Sequence, residues 1–427
     1  MTHWLARTAY STLLRLLTPA YLLRLWWRGR REAGYRVALT QRLGWGYAPT
    51  EPGAVWVHAV SLGETRAAAA LLEALRTLRP GVRLLLTHGT ATGREAGQAL
   101  LREGDRQTWL PWDTPGAVRR FLRHHRPAVG VLMETEIWPN LLLGAQAAGV
   151  PMVLANARLS EKSFVKGQRI AVLIEPAART LARVLAQTEA DARRLRAAGG
   201  AHVQVCGNLK FDVSPNPKLL ARGLEWRQRL ARPVVLAAST REGEEMPLLQ
   251  CWQALDAPRP LLLLVPRHPQ RFDAVADMAA DFGFRLARRS SWAKLPPDEA
   301  LQADVWLGDS MGEMPLYYAG ADVALLGGSF GRYGGQNLIE AAACGCPLVM
   351  GPHTYNFAEA AELSLAAGAS LRVKDIDEGV ARAVALARNP ARNEWVQRAF
   401  GFASAHRGAA ERMARQILAV AGLAADP

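Results

Sequence analysis

Short uninterrupted apolar runs alternate with longer stretches of helical periodicity along almost the whole chain. Runs at 55–60, 83–87, 129–134, 152–155 and 184–187 read as strands in the first half. Runs at 234–238, 261–266, 305–308, 322–327 and 347–350 do so in the second. A run that is apolar throughout, rather than alternating, belongs to a strand buried on both faces, with the intervening helices as cover. The pattern therefore predicts an α/β chain built on parallel sheets. The Pro-rich, polar stretch 208–232 reads as a linker between two α/β halves, and 394–423 as one or two amphipathic helices.

Polar clusters sit directly after these runs. His58-Ala-Val-Ser61-Leu-Gly63-Glu64 follows the first, and Thr87-His88-Gly-Thr90 the second. Glu134-Thr-Glu136-Ile-Trp138-Pro139-Asn140 and Asn156-Ala-Arg158-Leu-Ser160 follow later ones. In the second half come Ser239-Thr240-Arg241, Pro266-Arg267-His268, and Asp309-Ser310-Met311-Gly312-Glu313. Ligands of open α/β sheets bind beyond the carboxyl ends of strands, so clusters that track strand ends predict a cleft between two facing domains. The Gly-rich stretch after 322–327 runs into Asn337-Leu338-Ile339-Glu340 at a helix start. Its glycines predict backbone N–H groups open to a ligand, and its Glu suits sugar or ribose hydroxyls better than bare phosphate.

At 427 residues, two domains are expected. The formal net charge of +14 is mostly arginine, which reflects either compositional bias or a negatively charged partner. No nucleic-acid motif accompanies it, so anionic lipid or a phosphorylated glycan ranks above nucleic acid. Cys206, Cys251, Cys344 and Cys346 form no disulfide framework and suit a reducing compartment. Residues 8–27 have the length of a membrane span, interrupted by Arg15, Pro19 and Arg24. Trp26 and Trp27 beside Arg24, Arg28 and Arg31 carry the signature of a helix lying in or dipping into a membrane surface. The bland alternative is an amphipathic helix packed on its own domain.

Together, HAVSLGE, LPWDTPGAVRRFL, METEIWPNL, NARLSEKSF, GNLKFD, ASTREGEE, LVPRHPQRF, LGDSMGE and GGQNLIEAAACGCPLVMGPHTYNF resemble the Kdo transferases. These are inverting glycosyltransferases that move 3-deoxy-D-manno-oct-2-ulosonic acid (Kdo) from CMP-Kdo to the lipid A precursor. The resemblance implies the GT-B architecture: two Rossmann-like domains facing across a cleft, with an N-terminal membrane-anchoring helix. It divides the chain into an anchor (1–30), an acceptor-binding domain (31–215), a CMP-sugar-binding domain (216–400) and a tail (401–427) returning to the first domain. It places the enzyme on the cytoplasmic face of the inner membrane. Two departures are Gln336, where the family usually has His, and the THGTATG loop around His88, which is usually richer in Thr.

The resemblance assigns Glu64 as the base that deprotonates the acceptor hydroxyl; the residues alone suit equally a capping Glu in a first helical turn. Glu134 and Lys210 match positions that stabilise the transition state, with Glu136 competing with Glu134 on spacing alone. CMP is implied against Pro266 and Arg267, then Met311, Gly312 and Glu313, then Asn337, Leu338, Ile339 and Glu340. Arg267 has the donor fork that suits a phosphate. Arg119, Arg120 and Arg123 are candidates for acceptor phosphates or anionic headgroups. No Asp-x-Asp clamp stands at a strand end, so no obligatory metal and no cofactor beyond the CMP-Kdo donor is expected. The alternatives are another GT-B nucleotide-sugar transferase or epimerase, or a non-catalytic membrane-associated sugar-nucleotide-binding protein.

Overall fold

The computed structural model describes residues 2–212 and 214–423, so 424–427 of the expected tail lie outside the described residues. The chain separates into two compact units, Met1–Asp212 with Arg407–Pro427, and Val213–His406.

The first unit holds a seven-stranded sheet: β1 (Val55–His58), β2 (Leu84–His88), β3 (Arg106–Trp109), β4 (Val129–Met133), β5 (Met152–Ala157), β6 (Leu181–Ala186) and β7 (Val203–Val205). Its spatial order is β3-β2-β1-β4-β5-β6-β7, and the pairs are parallel. The second unit repeats the plan with β8 (Val234–Thr240), β9 (Leu261–Pro266), β10 (Leu286–Arg288), β11 (Val305–Leu307), β12 (Val323–Leu326), β13 (Leu348–Met350) and β14 (Ser370–Arg372). Its order is β10-β11-β9-β8-β12-β13-β14, again parallel. The order reverses at β1/β4 in the first sheet and at β8/β12 in the second, where β10 also lies outside β11. Loops diverge at such a switch point, and the opening they leave is where α/β sheets take ligands.

The central strands are buried along almost their whole length, Ser239 of β8 being half-buried. The helix Leu62–Leu78 covers one face of the first sheet with Ala67, Ala68, Leu71, Leu72 and Leu75. Those positions share one helical stripe, and each buried Leu contributes roughly 1.5–3 kcal/mol. Met413, Ile417 and Leu418 of the C-terminal helix Ala409–Val420 join the same core. In the second unit Trp226, Trp292 and Trp306 pack edge to face. Trp226 and Gly223 lie in a helix, Pro217–Arg229, where the sequence pattern suggests a linker. Its Pro sits at the first helical turn, where a missing N–H costs nothing, so prolines that read as a linker instead start a helix.

The N-terminal helix spans Thr2–Arg28 and lies on the first unit. Its docked side buries Leu14 and Leu25 and stacks Tyr21 on Trp112 with ring centroids 4.0 Å apart. Tyr10 donates to Asp113 at 2.9 Å, while Arg7 and Ser11 donate to Asn140 Oδ1 at 3.0 and 3.1 Å. The possibility of a membrane span is corrected here: among the described residues no helix is long and apolar enough to cross a bilayer. The arginines and docking tyrosines take up too much of its circumference.

Gly327 directly follows β12 at the switch point, and a Cβ there would run into the carbonyl of Ser239 near the end of β8. Neither backbone can yield without breaking the β8–β12 pairing. Gly327→Ala should cost at least about 2 kcal/mol of unfolding free energy by denaturant titration. Gly312→Ala, whose Cβ would meet nothing within 4 Å, should cost only the strain of its positive φ, about 1 kcal/mol.

Candidate functional site

In the first unit, chemistry gathers where β1 and β4 end. Ser61 caps the helix Leu62–Leu78 by accepting from Glu64 N, and Glu64 reaches back to accept from Val60 N at 2.8 Å and Ser61 Oγ at 3.1 Å. Glu64 thus acts in the manner of a capping box, taking the N–H one residue before the N-cap, which is the local role that spacing alone allows. This bonding also holds the carboxylate in one orientation at the strand end. Burial raises its pKa, with the charge of Glu134 adding and the Val60 N–H and Arg158 opposing.

Glu134 directly follows β4 with φ of 59°, a left-handed conformation that a side chain adopts only under outside constraint. Its N–H bonds to Ala155 O, and its Oε2 pairs with Arg158 Nε at 3.2 Å. Glu136 accepts from Trp138 Nε1 at 2.7 Å. Burial, then repulsion from Glu64, pushes Glu136 up to about 7. Glu64, Glu134 and Glu136 thus form one electrostatic group with Arg158 as its cation. The turn that reverses at Glu134 separates it from Glu136, so the two do not lie on one strand.

Lys210 lies in a short turn, Leu209–Phe211, shaped by a network of amides that the motifs alone do not reveal. Asn156, buried with φ of 51°, accepts from Leu209 N at 3.0 Å and passes its own carbonyl to Gln187 Nε2 at 2.9 Å. Asn208 closes the circuit through Gln187 Oε1 and caps Lys210 N. The sequence signal for it is no more than a run of amides after strand ends. His88 is corrected from a loop candidate to an interior group: it is 1% exposed, its Nδ1 lies 3.0 Å from Ala59 O, and burial lowers its pKa to about 4. Arg120 is likewise committed, donating to Leu43 O and stacking on Trp45. Arg119 and Arg123 instead line a surface groove with Arg7 and Arg126.

In the second unit the Gly-rich loop holds a carboxylate of its own chain. Glu244 Oε2 accepts from Gly328 N and Arg241 N at 2.8 Å, and its Oε1 accepts from Phe330 N and Gly331 N at 3.1 and 2.9 Å. The N–H groups of Gly327 and Gly335 bond to Ala238 O and Gly328 O. The expectation that these N–H groups face a ligand is therefore corrected. The nest exists, and Glu244 fills it because four converging donors in a buried place demand an anion.

Around this loop the candidate donor residues fall into distinct environments. Asn337 caps the following helix by accepting from Ile339 N at 3.2 Å, while Leu338 and Ile339 are interior, so only their backbone can meet a ligand. Glu340 is half-buried in that first turn. Pro266 ends β9, and the half-buried Arg267 bonds through its N–H to Thr240 O. Among the described residues no carboxylate pairs with the Arg267 guanidinium. Met311 is exposed, Gly312 turns with φ of 79°, and Glu313 pairs with Arg289 at 2.9 Å while accepting from Ser310 Oγ. Among the described residues no group of three or more His, Cys, Asp or Glu is placed to hold a metal ion.

The family model described as 3-deoxy-D-manno-octulosonic-acid transferase (kdotransferase) matches residues 37–213. A 3-deoxy-D-manno-octulosonic acid transferase of Bordetella pertussis is 47% identical over 424 residues, covering 96% of this chain and 98% of the relative. The chain belongs to this transferase family. The Haemophilus influenzae transferase of the same description is 34% identical over 386 residues, covering 88% of this chain and 90% of that one. Among solved structures, a glycosyltransferase from Rickettsia africae superposes with a TM-score of 0.56 at 11% identity, covering 86% of this chain and 99% of that one, a likeness of fold alone. Two parallel seven-stranded sheets and this likeness make the fold α/β of the GT-B class.

In this Kdo transferase family member the carboxylate trio has a measurable signature. A carboxyl whose folded pKa is raised keeps a proton that the unfolded chain has lost. Glu136 therefore subtracts stability as pH rises from about 4.5 to about 7. Glu136→Gln keeps the Trp138 bond without the charge. It should match the wild type near about pH 4 and exceed it by on the order of 1–3 kcal/mol near about pH 8, by chemical denaturation.

Proposed function

We propose that the chain transfers Kdo from CMP-Kdo to the lipid A precursor, lipid IVA, with inversion and release of CMP. Membership of the Kdo transferase family carries this reading. The acceptor hydroxyl oxygen attacks the anomeric carbon, its proton passes to Glu64, and the bond to CMP breaks with its electrons leaving on the phosphate. The capping box supports Glu64 as base because it fixes the carboxylate without consuming all its lone pairs. Burial, then the charge of Glu134, raises its basicity, which favours its role as a base. Glu134, held by Arg158, offers negative charge to the oxocarbenium-like centre, and Lys210 offers positive charge to the Kdo carboxylate or the departing phosphate.

In the second unit we assign CMP to Pro266, Arg267, Met311, Gly312, Glu313, Asn337, Leu338, Ile339 and Glu340. Arg267 takes the phosphate, Glu340 the ribose hydroxyls, and the buried Leu338 and Ile339 act through backbone. No obligatory metal or cofactor enters this scheme.

We further assign the N-terminal helix to the cytoplasmic face of the inner membrane, lying on it. Opposite its docked side, Leu5, Leu16, Leu23 and Trp27 are between 53% and 74% exposed. A docked helix that shows apolar side chains to the outside on one stripe, ending in Arg28, Arg30 and Arg31, has the form of an interfacial helix.

The test is incubation with CMP-Kdo and lipid IVA, with products read by mass. Glu64→Gln preserves the capping box, which accepts Gln, and should lose about 10²–10⁴-fold in transfer while CMP still raises the melting temperature. Full activity in that variant removes Glu64 as the base. Arg267→Ala should instead weaken CMP binding first. For the membrane reading, the double variant Leu16→Asp with Leu23→Asp should co-sediment with anionic vesicles at least about tenfold less than wild type. Undiminished co-sedimentation overturns that assignment.

A further inference from the structure

We infer that an apolar cavity beneath the helices Glu161–Gln168 and Ala171–Ala178 takes a segment of one acyl chain of the acceptor. This rests on the lipid-acceptor reading above and names where that lipid is gripped. The cavity measures about 130 Å³. That compares with the roughly 150 Å³ that accommodates benzene in an apolar protein interior, so it fits a few methylenes and not a whole chain. Leu154, Leu181, Val184 and Leu195, all buried, form its floor, with Phe164 and Ile174 above.

Three observations make this more than loose packing. First, the two helices roof the space without filling it. Glu161–Gln168 has no buried residue, and Ala171–Ala178 buries only Ala177 and Ala178. Meanwhile Val165, Ile170 and Val172 point outward at 54%, 50% and 41% exposure. Closer seating of these side chains would gain apolar packing that this arrangement leaves unmade.

Second, the cavity wall includes Thr135, Ile137 and Arg158, so it borders Glu134, Glu136 and the Arg158–Glu134 ion pair of 3.2 Å. A chain held there would belong to a molecule whose head reaches the carboxylate group. Third, the outward apolar residues continue onto the N-terminal helix, where His3 Nδ1 lies 2.9 Å from Val172 O and Trp4 and Leu5 are exposed. Lys162, Lys166 and Arg169 stand exposed on the same roof. An amphiphile with a hydrocarbon tail, an anionic head and a sugar hydroxyl satisfies the cavity, the cations and the carboxylates at once. A plain metabolite or a free fatty acid satisfies only some of them.

The test fills the cavity from its roof. Gly167 lines it, and a Cβ added there would meet nothing within 4 Å; Ala171 lines it at the start of the next helix. Gly167→Leu and Ala171→Phe should each raise KM for lipid IVA at least about tenfold. Transfer to the fully deacylated acceptor should stay within about twofold of wild type, and stabilisation by CMP should be unchanged. Equal loss on both acceptors, or no loss on either, overturns the acyl-chain site. Calorimetric titration with dodecyl phosphate below its micellar concentration separates the two readings. Binding to wild type that both variants abolish supports the cavity even if no Kdo is transferred, whereas absent binding, or binding that survives both variants, overturns it.

Discussion

A parallel strand buried on both faces cannot leave its last N–H and C=O groups without partners, and this fold has such strands at the centre of both sheets. Side chains answer the demand at each carboxyl edge. Glu64 takes Val60 N, Asp113 takes Asn140 N and Leu141 N, Asn156 takes Leu209 N, and Glu244 takes the Gly-rich loop. A hydrogen bond to a charged group contributes about 1.5–3 kcal/mol, and an unpaired buried group costs a similar amount. The acidic and amide residues gathered at the edge thus hold the loops in shape before any substrate arrives. Three non-glycine residues with left-handed backbone, Glu134, Asn156 and Ser239, sit at the ends of β4, β5 and β8 or within them. Strain concentrates where surrounding bonds fix the turn, and those turns aim the chemistry.

The same crowding at the strand ends explains the electrostatics. Burial and repulsion within this partly buried group make Glu64 and Glu136 hold their protons longer than in water, although Arg158 pairs with Glu134 beside them. Buried His58 and His88, by contrast, are held neutral by desolvation, with pKa values lowered to about 3 and about 4. They brace the interior next to the acidic group and do not titrate with it.

Much of the architecture was legible because burial on both faces leaves a strong mark: each of the ten apolar runs corresponds to a central or near-central strand. The four strands that escaped, β3, β7, β10 and β14, are the edges of the two sheets. An edge strand has one side open and here carries exposed or half-exposed positions, so no continuous apolar run announces it. The turn chemistry at Ser61 and Asn337 was legible too, since a cap is a local event. The partner of the Gly-rich loop was not, because Glu244 lies more than eighty residues away in sequence.

By itself, the sequence determined what depends on neighbours along the chain: strand and helix periods, caps, glycine turns, and motifs ordered tightly enough to indicate a family. Tertiary structure alone decided which donors were already spent. It turned Arg120 and His88 inward, gave the loop N–H groups to Glu244, and laid the N-terminal helix on the first unit. The physical reason is that hydrogen bonds and burial are allotted among groups brought together in space. A residue's type fixes what it is able to bind, and packing fixes what is left for it to bind.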